Sequence, residues 1–227
     1  MQVQRVPLLV LAASFKQQGV CLGGRVLQQT SDGAWLSLYN CRPVSSENPD
    51  CNAIPKQYLQ GVKVLDVIEI GLVKSVAVEG QPENWLWDGR PIKKLFSYAN
   101  TPNVLSNILD TPDCLGEVAQ YQADEWSMAC IQPQDFSFQL EYKNGRERWL
   151  SSFTYRGKPY SSVTITDAVF IQAVQRLAEP VRVGEVCSLA DTNCWLLLSR
   201  TLPFPPTGKR YLLAAAVIPH HGASFAD

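Results

Sequence analysis

The sequence lacks a strong charge of either sign: 20 Lys and Arg face 21 Asp and Glu, for a net charge of -1 over 227 residues. Nothing global therefore draws the chain to phosphate, and any affinity for nucleic acid has to come from a local cationic face. Long apolar runs are missing too. The run from Val6 to Ala13 is too short to span a bilayer and follows a single cation, so it reads as a buried strand. With no export signal recognised, the expected setting is the cytoplasm, with no membrane partner and with cysteines kept reduced.

Histidine is scarce, and the two present, His220 and His221, are adjacent near the carboxyl end. The seven cysteines (Cys21, Cys41, Cys51, Cys114, Cys130, Cys187 and Cys194) form no CxxC pair. Zinc needs about four converging ligands, so no metal site is expected. Cys21, Cys130, Cys187 and Cys194 adjoin apolar residues and read as core filler, whereas Cys41 and Cys51 bracket a polar loop and read as exposed thiols. HExxH, GxSxG and both standard phosphate loops are absent. Asp66 and Glu69 would point to opposite faces of one strand, and Glu83 and Asp88 could approach only through folding. No catalytic residue and no cofactor are expected.

What the chain has in quantity is short apolar segments rich in Val, Ile, Leu and aromatics, cut by Gly, Pro, Asn and Asp, which is the texture of an all-β protein. Strands are expected at 6–14, 20–28, 35–40, 64–76 and 85–86, and again at 136–142, 148–155, 161–165, 195–199 and 211–218. The stretch from Cys41 to Lys56 holds three prolines and no period, so it reads as a loop. A short helical stretch is expected from Asn103 to Leu109, extending toward Gln120. In "TDAVFIQAVQRLAE" the residues Ala168, Phe170, Ile171, Val174 and Leu177 follow a helical stripe, with Thr166 or Asp167 as N-cap and Pro180 as the stop. Each half then offers about five strands, the inventory of a five-stranded Greek-key barrel. The expected fold is all-β with a minor helix: two OB-like Greek-key barrels packed as one unit, over residues 1–122 and 123–227.

Four stretches bear on binding, each with a plain structural alternative. "SFKQQGVCLGGR" sets Lys16 and Arg25 around Gly19, Gly23 and Gly24, either a phosphate-approaching loop or a simple barrel-corner turn. "QPENWLWDGRPIKK" would put Trp85 and Trp87 on one strand face beside Arg90, either stacking bases or packing a core. "YKNGRERWLSSFTYRGKPY" carries turns at Asn144-Gly145 and Arg156-Gly157. Its alternation puts Trp149, Phe153 and Tyr155 on one face, and Lys143, Arg146, Arg148, Arg156 and Lys158 supply five cations. That is either an aromatic, cationic groove or an amphipathic meander. Asp167 in "TITD" is a functional carboxylate or a helix cap.

Six blocks then resemble, in order and spacing, the prokaryotic dual OB-containing domain family: "LAASFKQQGVCLGGR", "GAWLSL", "VLDVIEIGL", "QPENWLWD", "FTYRGKPYSSVTITD" and "RTLPFPPTGKRYLLAAAVI". The resemblance covers nearly the whole chain. It implies two OB-like barrels, encoded near bacterial conflict or defence systems, with a role in binding nucleic acid or nucleotides. The chain departs from that pattern where relatives follow the Trp35 strand with a cation and Pro: here Ser37, Leu38 and Tyr39 stand instead, and "CRPVS" comes later. The function expected is a non-catalytic module for single-stranded nucleic acid or a nucleotide. Trp85, Trp87, Trp149, Phe153 and Tyr155 are its stacking candidates, and Lys16, Arg90, Arg148, Arg156 and Lys158 its phosphate contacts. The rival readings are an adaptor that docks on a protein of the same operon, and a metal-dependent nuclease or nucleotide hydrolase.

Overall fold

The computed structural model describes residues 3–16, 19–47, 53–98, 102–112, 115, 126–177, 179–188, 194–206 and 208–220. Cys51, Cys114, His221, the expected boundary near residue 122 and the helical continuation toward Gln120 lie outside the described residues. The chain forms two compact units, Met1–Asn100 with Gln122–Met128, and Thr101–Tyr121 with Ala129–Asp227.

In the first unit the strands are β1 (Gln4–Lys16), β2 (Gly19–Gln29), β3 (Trp35–Val44), a two-residue β4 (Ile54–Pro55), β5 (Asp66–Ser75), β6 (Asn84–Trp87) and β7 (Lys93–Ser97). Their order is β1-β2-β3-β6-β5, and β5 pairs back on β1, so five strands close a barrel. The β3–β6 pair is parallel and the rest of the ring antiparallel, a Greek-key barrel of the OB type. The interior is filled from alternate positions by Val6, Leu8 and Val10, Val20, Leu22 and Val26, Ile68, Ile70 and Leu72, and by Trp87. A 3-10 turn, Lys56–Leu59, adds Leu59 to this cluster and sets Tyr58 edge-on to Trp87, with ring centroids 4.8 Å apart.

The second unit repeats the order. Its strands are β8 (Met128–Ile131), β9 (Gln134–Lys143), β10 (Arg146–Tyr155), β11 (Lys158–Ile165), β12 (Val186–Ser188), β13 (Cys194–Arg200) and β14 (Leu212–Pro219). The sheet runs β12-β9-β10-β11-β14-β13-β8, with β11 and β14 parallel. The helix α1 (Ala168–Gln175) lies in sequence between β11 and β13, and buries Phe170 and Val174. Phe170 meets Phe136 and Phe138 edge-on, and Phe138 touches Trp149, so the helix seals the interior on that side. Among the described residues no ladder joins β9 to β13, and β12 and β8 lie on those edges instead. No helix among the described residues is long and apolar enough to cross a membrane.

Three expectations change. β3 runs on through Val44, so the "CRPV" part of the expected loop is strand, and Cys41 is fully buried rather than an exposed thiol. Cys21 and Cys187 are only half-buried, whereas Cys130 and Cys194 are core. The three glycines of "GVCLGG" lie within β2, not in a loop; a Cβ on Gly24 would collide with the Leu9 carbonyl at an irregular step of the β1–β2 ladder. This close backbone approach is the reason for glycine there.

Asp167 is the cap of α1. One carboxylate oxygen accepts the Val169 and Phe170 amides at 2.9 and 3.1 Å, and the other accepts the Val217 amide of β14 at 3.0 Å. Asp167→Ala is expected to lower stability by about 2–4 kcal/mol in urea unfolding, from a lost cap plus an orphaned buried amide. Asp167→Asn, which keeps the cap acceptor, should cost about half of that. Burial pushes the Asp167 carboxyl up from its ordinary 3.8, and the three amides oppose the rise. A raised carboxyl binds its proton more tightly in the folded state. Its contribution to stability is therefore largest below pH 3.8 and falls as pH rises through the folded-state value. The wild type should lose ground against Asp167→Asn across that window.

Candidate nucleic-acid interface

OB barrels present the face of their second and third strands to oligonucleotides. In the first unit these are β2 and β3. Tyr39 and Cys41 point into the barrel, so Asn40 and Arg42 point out. Their partners come from the segment Ser127–Met128. Asn40 donates to the Met128 carbonyl at 3.2 Å, and Arg42 to the Ser127 carbonyl at 3.4 Å. Buried Glu83, whose carbonyl accepts the Arg42 amide, completes the grip. Its carboxylate accepts the Ser127 amide at 2.7 Å, the Ser127 hydroxyl at 2.6 Å and the Met128 amide at 3.1 Å. Loss of hydration pushes the Arg42 guanidinium down, and Glu83 opposes that shift. Arg42, the cation of "CRPVS", thus lies on β3 and holds the chain itself.

The expected site residues fall into two classes. Trp87, Trp149, Phe153 and Tyr155 are 3, 5, 3 and 7% exposed. The predicted alternation is right, but the face that carries these rings is the interior one. Trp87 donates its indole N–H to the Arg90 carbonyl at 3.2 Å, Phe153 stacks on Tyr160 with centroids 5.5 Å apart, and the Tyr155 hydroxyl donates to the Pro112 carbonyl at 3.1 Å. Rings packed in this way offer no face to a base. Trp85 shares the side of Trp87, is half-buried, and stacks on Tyr39 with centroids 6.0 Å apart. Arg90 is exposed and lies 4.0 Å from the Asp88 carboxylate. Lys16 ends β1, and its side chain lies outside what is described.

The three cations expected as contacts in the second unit are accessible. Arg148 projects from the outer face of β10, donating to the Thr164 hydroxyl at 3.1 Å and pairing with Glu141 at 3.7 Å. Arg156 and Lys158 flank the β10–β11 turn and are exposed, each 5.8 Å from the centroid of a neighbouring ring, Tyr155 and Tyr160 respectively. The turn has positive φ at Arg156 and Gly157, 49° and 74°, and so does the β9–β10 turn at Asn144 and Gly145, 53° and 72°. Both are the two-residue hairpin turns expected from those pairs. Between the two turns the outer face carries Arg148 and the hydroxyls of Ser152, Thr154, Ser161 and Thr164, all exposed or half-exposed.

A model of the dual OB-containing domain matches residues 6–217. The chain belongs to this family. No curated protein and no solved structure matches it. In this dual OB-containing chain the exposed rings among the described residues are not the stacking candidates expected from the sequence: they are Tyr142 at 56%, Phe204 at 51% and Tyr211 at 38%. Their signal is weak, namely an aromatic within a few residues of a turn-forming Gly, and Phe204 has Pro203 and Pro205 on either side.

Glu83→Ala is expected to cost about 3 kcal/mol or more, because two buried amides and a hydroxyl lose their acceptor. Glu83→Gln should cost markedly less, as thermal melts would record. The thiols of Cys41 and Cys194 are pushed up to about 12 by burial, with Glu83 adding to the rise at Cys41. Both should resist alkylation at pH 8 in the native protein and react in urea, as read by mass spectrometry.

Proposed function

We propose that this protein is a non-catalytic binding module for nucleic acid or nucleotides, and that its second unit makes the contact. The observation that carries the reading is the outer face of β10 and β11, where Arg148 and four hydroxyls lie between two tight turns, with Arg156 and Lys158 at one end. Cations and hydroxyls are the groups that hold a sugar-phosphate backbone. The corresponding face of the first unit supports the same assignment, since Asn40, Arg42 and Glu83 there are engaged with Ser127 and Met128.

The mode is positional and electrostatic rather than sequence-reading. A near-neutral chain with a small cationic face gives modest affinity that fades with salt. Each phosphate contact to a single strand contributes a slope of about -0.7 in log affinity against log salt. Replacing Arg156 and Lys158 together with alanine should therefore flatten the slope by about 1.4. The measurement is tryptophan-fluorescence titration with single-stranded DNA and RNA at several salt concentrations. Affinity that ignores salt, or a double variant that binds like the wild type, would remove this face from the reading.

A further inference from the structure

The first unit carries a feature of the opposite sign. β3 and β6 are parallel neighbours, with Val44 opposite Leu86, so the segment that follows β3 and the turn that follows β6 run side by side. β5 completes the wall, because its Leu72 pairs with Trp87. Where the three meet lies a cleft of about 340 Å³. Val73, Leu86 and Trp87 line it together with Glu47 and Asp88, and no lysine or arginine is among its lining residues.

Both carboxylates are placed by the backbone around them. The Glu47 amide donates to the Ser45 hydroxyl at 3.1 Å, and a Cβ on Gly89, whose φ is +75°, would stand 3.7 Å from Glu47 Oε1. Asp88 has a side chain only 2% exposed, and its amide donates to the Gly71 carbonyl at 3.1 Å. The Asp88 carboxylate rests on Gly71, where any Cβ would collide with it. Its Oδ1 accepts the Arg90 amide at 3.0 Å, but its Oδ2 accepts no hydrogen bond from the described residues. Arg90 Nε stands 4.0 Å from Oδ2, beyond hydrogen-bond reach, on a side chain that is 72% exposed. A buried carboxylate oxygen without a donor costs free energy that a bound cation would offset.

We infer that this cleft binds a guanidinium group carried on an apolar stem. Two negative charges repel phosphate, so the site is separate in kind from the nucleic-acid face proposed for the second unit. A divalent metal ion asks for about six or more oxygen ligands, and no group of three or more acidic, cysteine or histidine side chains converges among the described residues. A guanidinium is more weakly hydrated than an ammonium, so apolar walls cost it less, and its planar fork fits the edge of a carboxylate. Exposed Glu47 supplies that edge, Asp88 the second charge, and Val73 and Leu86 a surface for the stem. The group arrives on a free small molecule or as an arginine side chain of a protein, and the chemistry of recognition is the same.

The test follows the Gly89 amide of the full-length protein by NMR. The probe is n-butylguanidinium, set beside n-pentylammonium, magnesium and a capped Ala-Arg-Ala tripeptide. Butylguanidinium should shift the Gly89 signal saturably, with the ammonium and magnesium about tenfold weaker or silent. Glu47→Gln, at an exposed position, should weaken binding about tenfold, and Asp88→Asn, which keeps an acceptor for the Arg90 amide, by a similar factor. Arg90→Ala removes a competing cation and should tighten binding by up to about fivefold. A tripeptide that binds at least as tightly as butylguanidinium makes a protein arginine the source, and a weaker one makes it a free small molecule; both keep the assignment. No shift at Gly89, an equal response to ammonium or magnesium, or unchanged affinity in Glu47→Gln overturns it. None of these results bears on strand binding by the second unit.

Discussion

A small barrel has to fill its own interior, and in this chain that requirement consumes many of the aromatic side chains. One ring of strands leaves room for one layer of inward side chains from alternate positions. In the first unit Trp87 fills that space, with Tyr58 against it. In the second, Trp149, Phe153 and Tyr155 are buried from β10, and Phe136, Phe138 and Phe170 meet ring to ring. What can reach a ligand is then what the alternation sends outward: Arg148 and hydroxyls on the strands, cations at the turns, and rings on loops.

This explains why the architecture was legible and the exposed rings were not. Alternation, Gly-centred turns and the TDAVFIQAV stripe declare strands, hairpins and one capped helix, and all three are present. The stripe overshoots, since α1 ends at Gln175 and Leu177 is exposed beyond it. The strands that went unrecognised are short or charged: Ile54–Pro55, Lys93–Ser97, Met128–Ile131 and Val186–Ser188 hold two to five residues each, too few for a period to register. Alternation shows that Trp149, Phe153 and Tyr155 share a face, but period two carries no sign, and which face looks inward depends on what packs against the sheet, here α1 through Phe170 and Phe138.

The two units use a similar strand order differently. In the first, Glu83 is legible only as one more carboxylate in "QPENW", because its donors lie more than forty residues away. Folding turns it into the acceptor for Ser127 and Met128, so the polar outer groups of β3 are spent within the chain. In the second, Asp167 is likewise a structural carboxylate, joining the start of α1 to β14. The polar residues that sequence motifs offer as chemistry are, at these two positions, hydrogen-bond acceptors for the backbone.

The proposed function places nucleic acid on the outer face of β10 and β11, where Arg148, Arg156 and Lys158 are accessible. Photo-crosslinking with a thiouracil-substituted single strand, read by peptide mass spectrometry, tests it most directly. Crosslinks are expected in the peptides spanning β10, β11 and the turn between them. Crosslinks confined to the first unit, around Trp85 and Arg90, would contradict it.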